Sequence, residues 1–175
     1  MDAIFTRTSV RKYTDEKITS EQIELLLKAG MAAPSARNIQ PWEFIVIQDR
    51  KTLNTISELG SFAYMLKDAP LAIVVCADTD KEIPPQAGKS YWIQDCSAAT
   101  QNIMLQASEI GLGSVWIGTF PKEEMYKPLA QLLGLPANII PVTTISIGHP
   151  DGELHPKDKF DKKKIHYEKW ETKGD

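Results

Sequence analysis

The sequence predicts one domain that mixes helices with strands, and three observations predict it. The chain has 175 residues, the size of one ordinary domain, and such a length buries roughly 70% of the unfolded surface. Helical periodicities alternate along it with short apolar runs of strand length. No internal repeat or interior linker divides it. Composition agrees, with 42% apolar and 25% charged residues, values that argue against disorder or low complexity.

The elements follow in order. A short helix opens the chain, with Asp2 able to cap it and Ile4 and Phe5 facing a core. The spacing predicts a helix over Lys17–Met31. Thr19 and Gln22 stand at capping-box spacing, and Ile23, Leu26, Leu27 and Gly30 follow at 0, 3, 4 and 7. Residues 33–41, with Pro34 and Pro41 near their ends, demand a loop. Glu43–Gln48 reads as a strand and Arg50–Leu59 as a helix. Leu71–Ala77 is continuously apolar and rich in β-branched residues, which suits a central strand covered on both faces. Pro84-Pro85 marks another loop.

The longest helix is expected over Ser90–Ile110, with Trp92, Cys96, Ala99, Ile103, Ala107 and Ile110 on one stripe. Gly111 and Gly113 can terminate it. Val115–Ile117 is a short strand, and Pro121 can start a helix that Pro128 interrupts and Gly134 closes. Ile139–Ile147 is the next strand. After Gly148-His149-Pro150 the chain turns polar and basic, then ends in Tyr167 and Trp170. Two large aromatics beyond a lysine-rich arm suggest that the arm is pinned, another subunit being one choice.

Several function classes are disfavoured. A formal net charge of −3 gives no basic excess for general nucleic-acid binding. The longest apolar stretch, Leu71–Ala77, is far short of the ~20 residues that cross a bilayer. The first residues lack a signal pattern, and Cys76 and Cys96 make no disulfide framework. A cytoplasmic protein without nucleic-acid or membrane partners is expected. His149, His155 and His166 match no zinc spacing, so no metal is expected. Gly111-x-Gly113 follows a helix and precedes a strand, the reverse of a dinucleotide-binding turn.

Three segments have the residue types for chemistry. Arg7-Thr8-Ser9-Val10-Arg11-Lys12 suits an oxyanion such as a phosphate monoester, although a solvated basic helix end has the same composition. Lys157 and Lys159 form a second basic site that could converge on the same ligand. Ser35, Arg37, Asn38 and Gln40, held between Pro34 and Pro41, suit a rigid recognition loop or an ordinary connection. A fourth feature concerns assembly. Asp95 is the only charged residue from Ser90 to Ser108, and Tyr91, Gln94, Ala98, Gln101 and Met104 lie off the apolar stripe. That depletion suits either an obligate interface or a helix buried inside one subunit.

In this order, over nearly the whole chain, these segments resemble the FMN-dependent nitroreductases in their short form. Arg-Thr-Ser-Val-Arg-Lys-Tyr at 7–13 resembles the flavin-phosphate motif. Ala-Pro-Ser-Ala-Arg-Asn-Ile-Gln-Pro-Trp at 33–42 is similar to the family's Pro-Ser-x-x-Asn-x-Gln-Pro-Trp signature. Asp95–Leu105 resembles its dimer-interface helix, residues 111–118 the segment passing the flavin ring, and residues 156–159 the closing basic motif, where Lys159 stands at a position often held by Arg.

The resemblance implies an α+β, nitroreductase-like fold with a mainly antiparallel central sheet flanked by helices, in an intertwined homodimer. It implies one FMN-binding domain over 1–175, with 151–175 as a C-terminal extension packing on the partner subunit. Arg7, Thr8, Ser9, Arg11, Lys157 and Lys159 would hold the phosphate and ribityl chain. Pro34, Ser35, Ala36 and Asn38 would reach the flavin from the partner, with Gln40 shaping their loop. Trp116, Ile117 and Gly118 would line the ring edge. FMN would take hydride from NADH or NADPH and pass it by a ping-pong route to small, flat nitroaromatic, quinone or flavin-type acceptors. No side chain is then needed as a catalyst, because the flavin carries the redox chemistry. A non-catalytic flavin carrier or sensor is the alternative, and a cofactor-free dimerisation protein requires every motif to be coincidental.

Overall fold

The structure, a computed structural model, describes residues 3–81 and 91–170. Four strands form one antiparallel sheet: Trp42–Ile47 (β1), Leu71–Asp78 (β2), Gly113–Gly118 (β3) and Ile139–Gly148 (β4), in the order β1-β2-β4-β3. The uninterrupted apolar run of β2 takes an interior position, as a strand covered on both faces must. A bulge between Val75 and Cys76 shifts its register against β4.

The helices are Ala3–Thr6 (α1), Ser20–Met31 (α2), Arg50–Ser57 (α3), Trp92–Glu109 (α4) and Glu123–Leu132 (α5). One core joins Leu26 of α2 and Cys96, Ala99 and Ile103 of α4 to Leu71, Ile73 and Val75 of β2. The alternate residues Ala72, Val74 and Cys76 face a second core, which Leu53 of α3 and Leu129 of α5 cover. Each fully buried Leu or Ile contributes about 1.5–3 kcal/mol, so this double coverage is the main source of stability.

Local chemistry sets the element ends. Thr19 caps α2 in a reciprocal box with Gln22, so the helix begins at Ser20 and not at Lys17, and Ile18 is buried beneath it. Arg50 closes the turn before β2, its Nη1 donating to the Leu66 and Lys67 carbonyls and its Nη2 to that of Ala69. Gly111 and Gly134 take positive φ after α4 and α5, as helix-ending glycines do.

Several expectations need correction. Ile4 and Phe5 are 68% and 74% exposed, because a single-turn helix has no room to bury a face under its own chain. Pro121 precedes α5 instead of starting it, since Lys122 adopts the extended cap conformation. Pro128 does not interrupt α5. A proline removes one intrahelical bond, and buried Met125 and Leu129 hold the helix on either side of it. Met104 points into the core and is not part of an outer face. Asp2, Pro84-Pro85 and Ser90 lie outside the described residues.

The N-terminal strip is seated on the sheet by two close approaches. Ser9 bridges Ser114, Tyr13 bridges Pro150, and the Val10 amide donates to the Ser114 carbonyl. A Cβ on Gly113 would sit 2.7 Å from Val10 Cβ, and one on Gly148 would sit 2.6 Å from the Tyr13 ring and 2.8 Å from Pro70. Gly148→Ala is therefore expected to destabilise the protein by about 1–3 kcal/mol through overpacking. Urea denaturation measures this, and an unchanged midpoint would show that the strip is loosely held.

Candidate active site

Seating the strip between Val10 and Tyr13 fixes what lies on either side of those anchors. Arg7, Thr8, Ser9 and Arg11 line a cavity of about 690 Å³, and Lys157 and Lys159 close it from the far end of the chain. The two basic sites thus converge. Arg11 is not at a helix end, as the basic-helix reading supposed, but in the extended strip between the two bridges. Among the described residues, Asp158 is the one carboxylate in the lining, and its Oδ1 accepts from the Phe160 amide.

Within this cluster, Nη1 of Arg7 is buried and has no hydrogen-bond partner. A desolvated guanidinium nitrogen left unpaired is costly, and a bound oxyanion would pair it. Ile4, Phe5 and Phe160 form the apolar part of the wall. Their exposure leaves the cavity open on that side.

The recognition loop stands apart from this cavity. Ala36–Asn38 forms one tight turn, and Arg37, Asn38 and Gln40 have φ of 52°, 56° and 54°, the left-handed region that L-residues avoid. Ser35 Oγ accepts from the Gln40 amide, and Gln40 Nε2 donates to Asn38 Oδ1. The Ala36 amide donates to Asp95 Oδ1 at 3.0 Å. Asp95 lies in the first turn of α4 and is 7% exposed. Burial raises its pKa above the ordinary aspartate value, and the Ala36 bond lowers it in part. An acid raised in this way loses stability as pH climbs past its unfolded value, opposite in sign to a paired surface carboxylate.

On β3, Trp116 is part-exposed, Gly118 has nothing within 4 Å of where a Cβ would stand, and Ile117 is buried in the second core. Only the backbone of Ile117 is placed to meet a ligand. None of Pro34, Ser35, Ala36, Asn38, Trp116, Ile117 and Gly118 lines this cavity.

The three histidines stand in different places. His149 lies 3.4 Å from Glu16, His166 stacks on Trp170 and His155 lines a different hollow. Among the described residues, no group of three or more His, Cys, Asp or Glu could hold a metal ion. Burial pushes the Cys76 and Cys96 thiols up to about 12, so both are un-ionised near neutral pH. No helix among the described residues is long and apolar enough to cross a membrane. Sequence reasoning missed the contribution of Phe160 to the cavity and of Asp95 to the loop. Asp95 stood out as the one charged residue from Ser90 to Ser108, but nothing in the sequence pointed to its partner.

Comparisons with known proteins show which family the chain resembles. The model of the nitroreductase family matches residues 4–61 and 58–149. A protein of Archaeoglobus fulgidus, provisionally named an NADH dehydrogenase/NAD(P)H nitroreductase, is 49% identical over 170 residues, covering 95% of this chain and 96% of its own. The FMN reductase (NAD(P)H) of Bacillus subtilis is 28% identical over 177 residues, covering 91% of this chain and 69% of its own. The solved structure of an FMN-dependent nitroreductase from Clostridium difficile superposes with a TM-score of 0.87 at 34% identity, over 97% of this chain and 99% of that one. With the family model spanning most of the chain and a relative 49% identical along nearly its whole length, this chain belongs to the nitroreductase family.

Proposed function

We propose that the chain is an FMN-dependent oxidoreductase that takes hydride from NADH or NADPH and reduces small flat acceptors such as nitroaromatics, quinones or flavins. The observation that carries this reading is the convergence of Arg7 and Arg11 with Lys157 and Lys159 on one cavity, beside a buried guanidinium nitrogen without a partner. Such a site fits a phosphate monoester. Arg supplies forked donors, Lys point charges, and Thr8 and Ser9 neutral hydroxyls.

Bound FMN supplies the electron-carrying chemistry. The chain's own residues bind and orient it. Arg7, Thr8, Ser9, Arg11, Lys157 and Lys159 would hold the phosphate and ribityl chain. Pro34, Ser35, Ala36 and Asn38 present a rigid backbone edge to the partner's flavin. Trp116 and Gly118 would line the ring edge, Gly118 because a bare backbone lets a flat ligand approach closely.

The enzyme acts as a cytoplasmic homodimer in this reading, with residues 151–175 packing on the partner. The exposed side of α4, with Ile93, Gln94 and Gln101, supports that assembly, as do Leu25 and Met31 standing exposed on α2. Along the arm, Phe160, Tyr167 and Trp170 are 69%, 80% and 78% exposed within one protomer, apolar surface that a second chain would cover.

Titrating the apoprotein with FMN tests the reading, since saturable quenching of flavin fluorescence is expected at one FMN per chain. Failure to bind FMN at any concentration tried would overturn it. Arg7→Ala adds a signature of opposite signs. It removes a buried unpaired nitrogen, so the apoprotein should be as stable as wild type or more stable by about 1 kcal/mol, while FMN affinity falls about tenfold or more. Urea melts and fluorescence titration together check this, and loss of both properties would mark Arg7 as merely structural.

A further inference from the structure

We propose that Asp95 is the positioning residue for the 34–38 loop, its Oδ1 holding the Ala36 amide and so fixing the backbone edge that meets the flavin. The inference rests on the FMN reading above.

Three features lead to it. The loop is conformationally unfavourable, with Arg37, Asn38 and Gln40 all left-handed, and such residues persist only where their surroundings over-determine them. The other hydrogen bonds of residues 35–40 are local: Asn38 and Ile39 amides to the Ser35 and Ala36 carbonyls, Gln40 to Ser35 and to Asn38. Among the described residues, the Asp95 bond alone ties this turn to another element, 59 residues away in sequence. Finally, a carboxylate in the first turn of α4 sits where the helix dipole favours negative charge, which partly offsets the burial of this 7%-exposed side chain.

The placement has a consequence for assembly. Asp95 and the exposed residues Ile93, Gln94 and Gln101 belong to one helix. A loop fixed to that helix follows the helix as it packs on a second subunit. Asp95 therefore links the proposed dimer contact to the proposed cofactor contact, through one hydrogen bond to the loop backbone.

Amide hydrogen exchange on the full-length apoprotein, paired with FMN titration, tests the proposal. Asp95→Ala is expected to speed exchange at Ala36 and its loop about tenfold or more without changing β2, and to raise the FMN dissociation constant about ten- to hundred-fold, as for a lost charged hydrogen bond. Asp95→Asn retains an acceptor and should return both readouts to within about threefold of wild type. Asp95→Leu, similar in size and unable to accept, should behave as the alanine variant and serves where that one does not fold.

Unchanged Ala36 exchange in the alanine or leucine variant overturns the proposal. So does faster exchange with unchanged FMN affinity, faster exchange spread evenly through β2, or an asparagine variant as impaired as alanine. A wild-type protein that takes up no FMN removes the cofactor reading itself and this proposal with it. The other failures occur with wild-type FMN binding intact, and so fall on Asp95 alone.

Discussion

Arg11→Glu is expected to strip the protein of FMN while leaving its fold intact. The Arg11 side chain lines the anion cavity from an exposed position on the N-terminal strip. Reversing its charge removes a forked donor and sets a carboxylate beside a group bearing nearly two negative charges. Charge-assisted hydrogen bonds are worth about 1.5–3 kcal/mol each, and solvent screening at this exposed position limits the added repulsion. The expected loss is about 2–4 kcal/mol, or roughly thirty- to several-hundred-fold in Kd. The strip itself is held by Val10 and Tyr13 against Gly113 and Gly148, contacts that the substitution does not touch. Fluorescence titration with FMN and with riboflavin, which lacks the phosphate, separates the parts. Only FMN affinity should fall. Equal losses for both ligands would place the phosphate elsewhere.

The second large effect is expected at the proposed interface. Ala98 is half-buried against its own core, so a charge there would report on folding as much as on assembly. Ser97 and Gln101 lie on the outer side of α4, one part-exposed and the other exposed. The double variant Ser97→Glu, Gln101→Glu places two carboxylates per subunit on a helix side that has none. Like charges brought together and desolvated at an interface core cost several kcal/mol, enough to dissociate a dimer at micromolar concentration. If the 34–38 loop serves the partner's flavin, FMN affinity should fall with the dimer, by about tenfold or more. Sedimentation and flavin fluorescence on the same samples measure both. Monomers that keep FMN at wild-type affinity would sink the shared-site arrangement.

How much could be read from the sequence depended on the range of the physics involved. Local patterns were readable: the Thr19–Gln22 box, the β-branched run of β2 and the terminating Gly134 all behave as their chemistry dictates. Pro128 misled because a proline's cost to a helix, about 3 kcal/mol, can be outweighed by buried neighbours such as Met125 and Leu129. Ile4 and Phe5 misled because apolarity predicts burial without saying by which chain. The candidate anion site was legible as two basic segments, but their meeting was not, since it depends on Gly113 and Gly148 admitting Val10 and Tyr13. The Asp95 contact was hidden for the same reason. Its partner is a backbone amide 59 residues away, and no residue type announces that.

The most direct test of the central claim is anaerobic mixing of the FMN-loaded protein with NADH and, separately, with NADPH, followed by the visible absorbance of oxidised flavin. The account predicts that at least one of the two bleaches that absorbance within seconds, and that adding a quinone or nitroaromatic restores it. Flavin that stays bound and oxidised for minutes with both would contradict the account and leave a carrier on a nitroreductase scaffold.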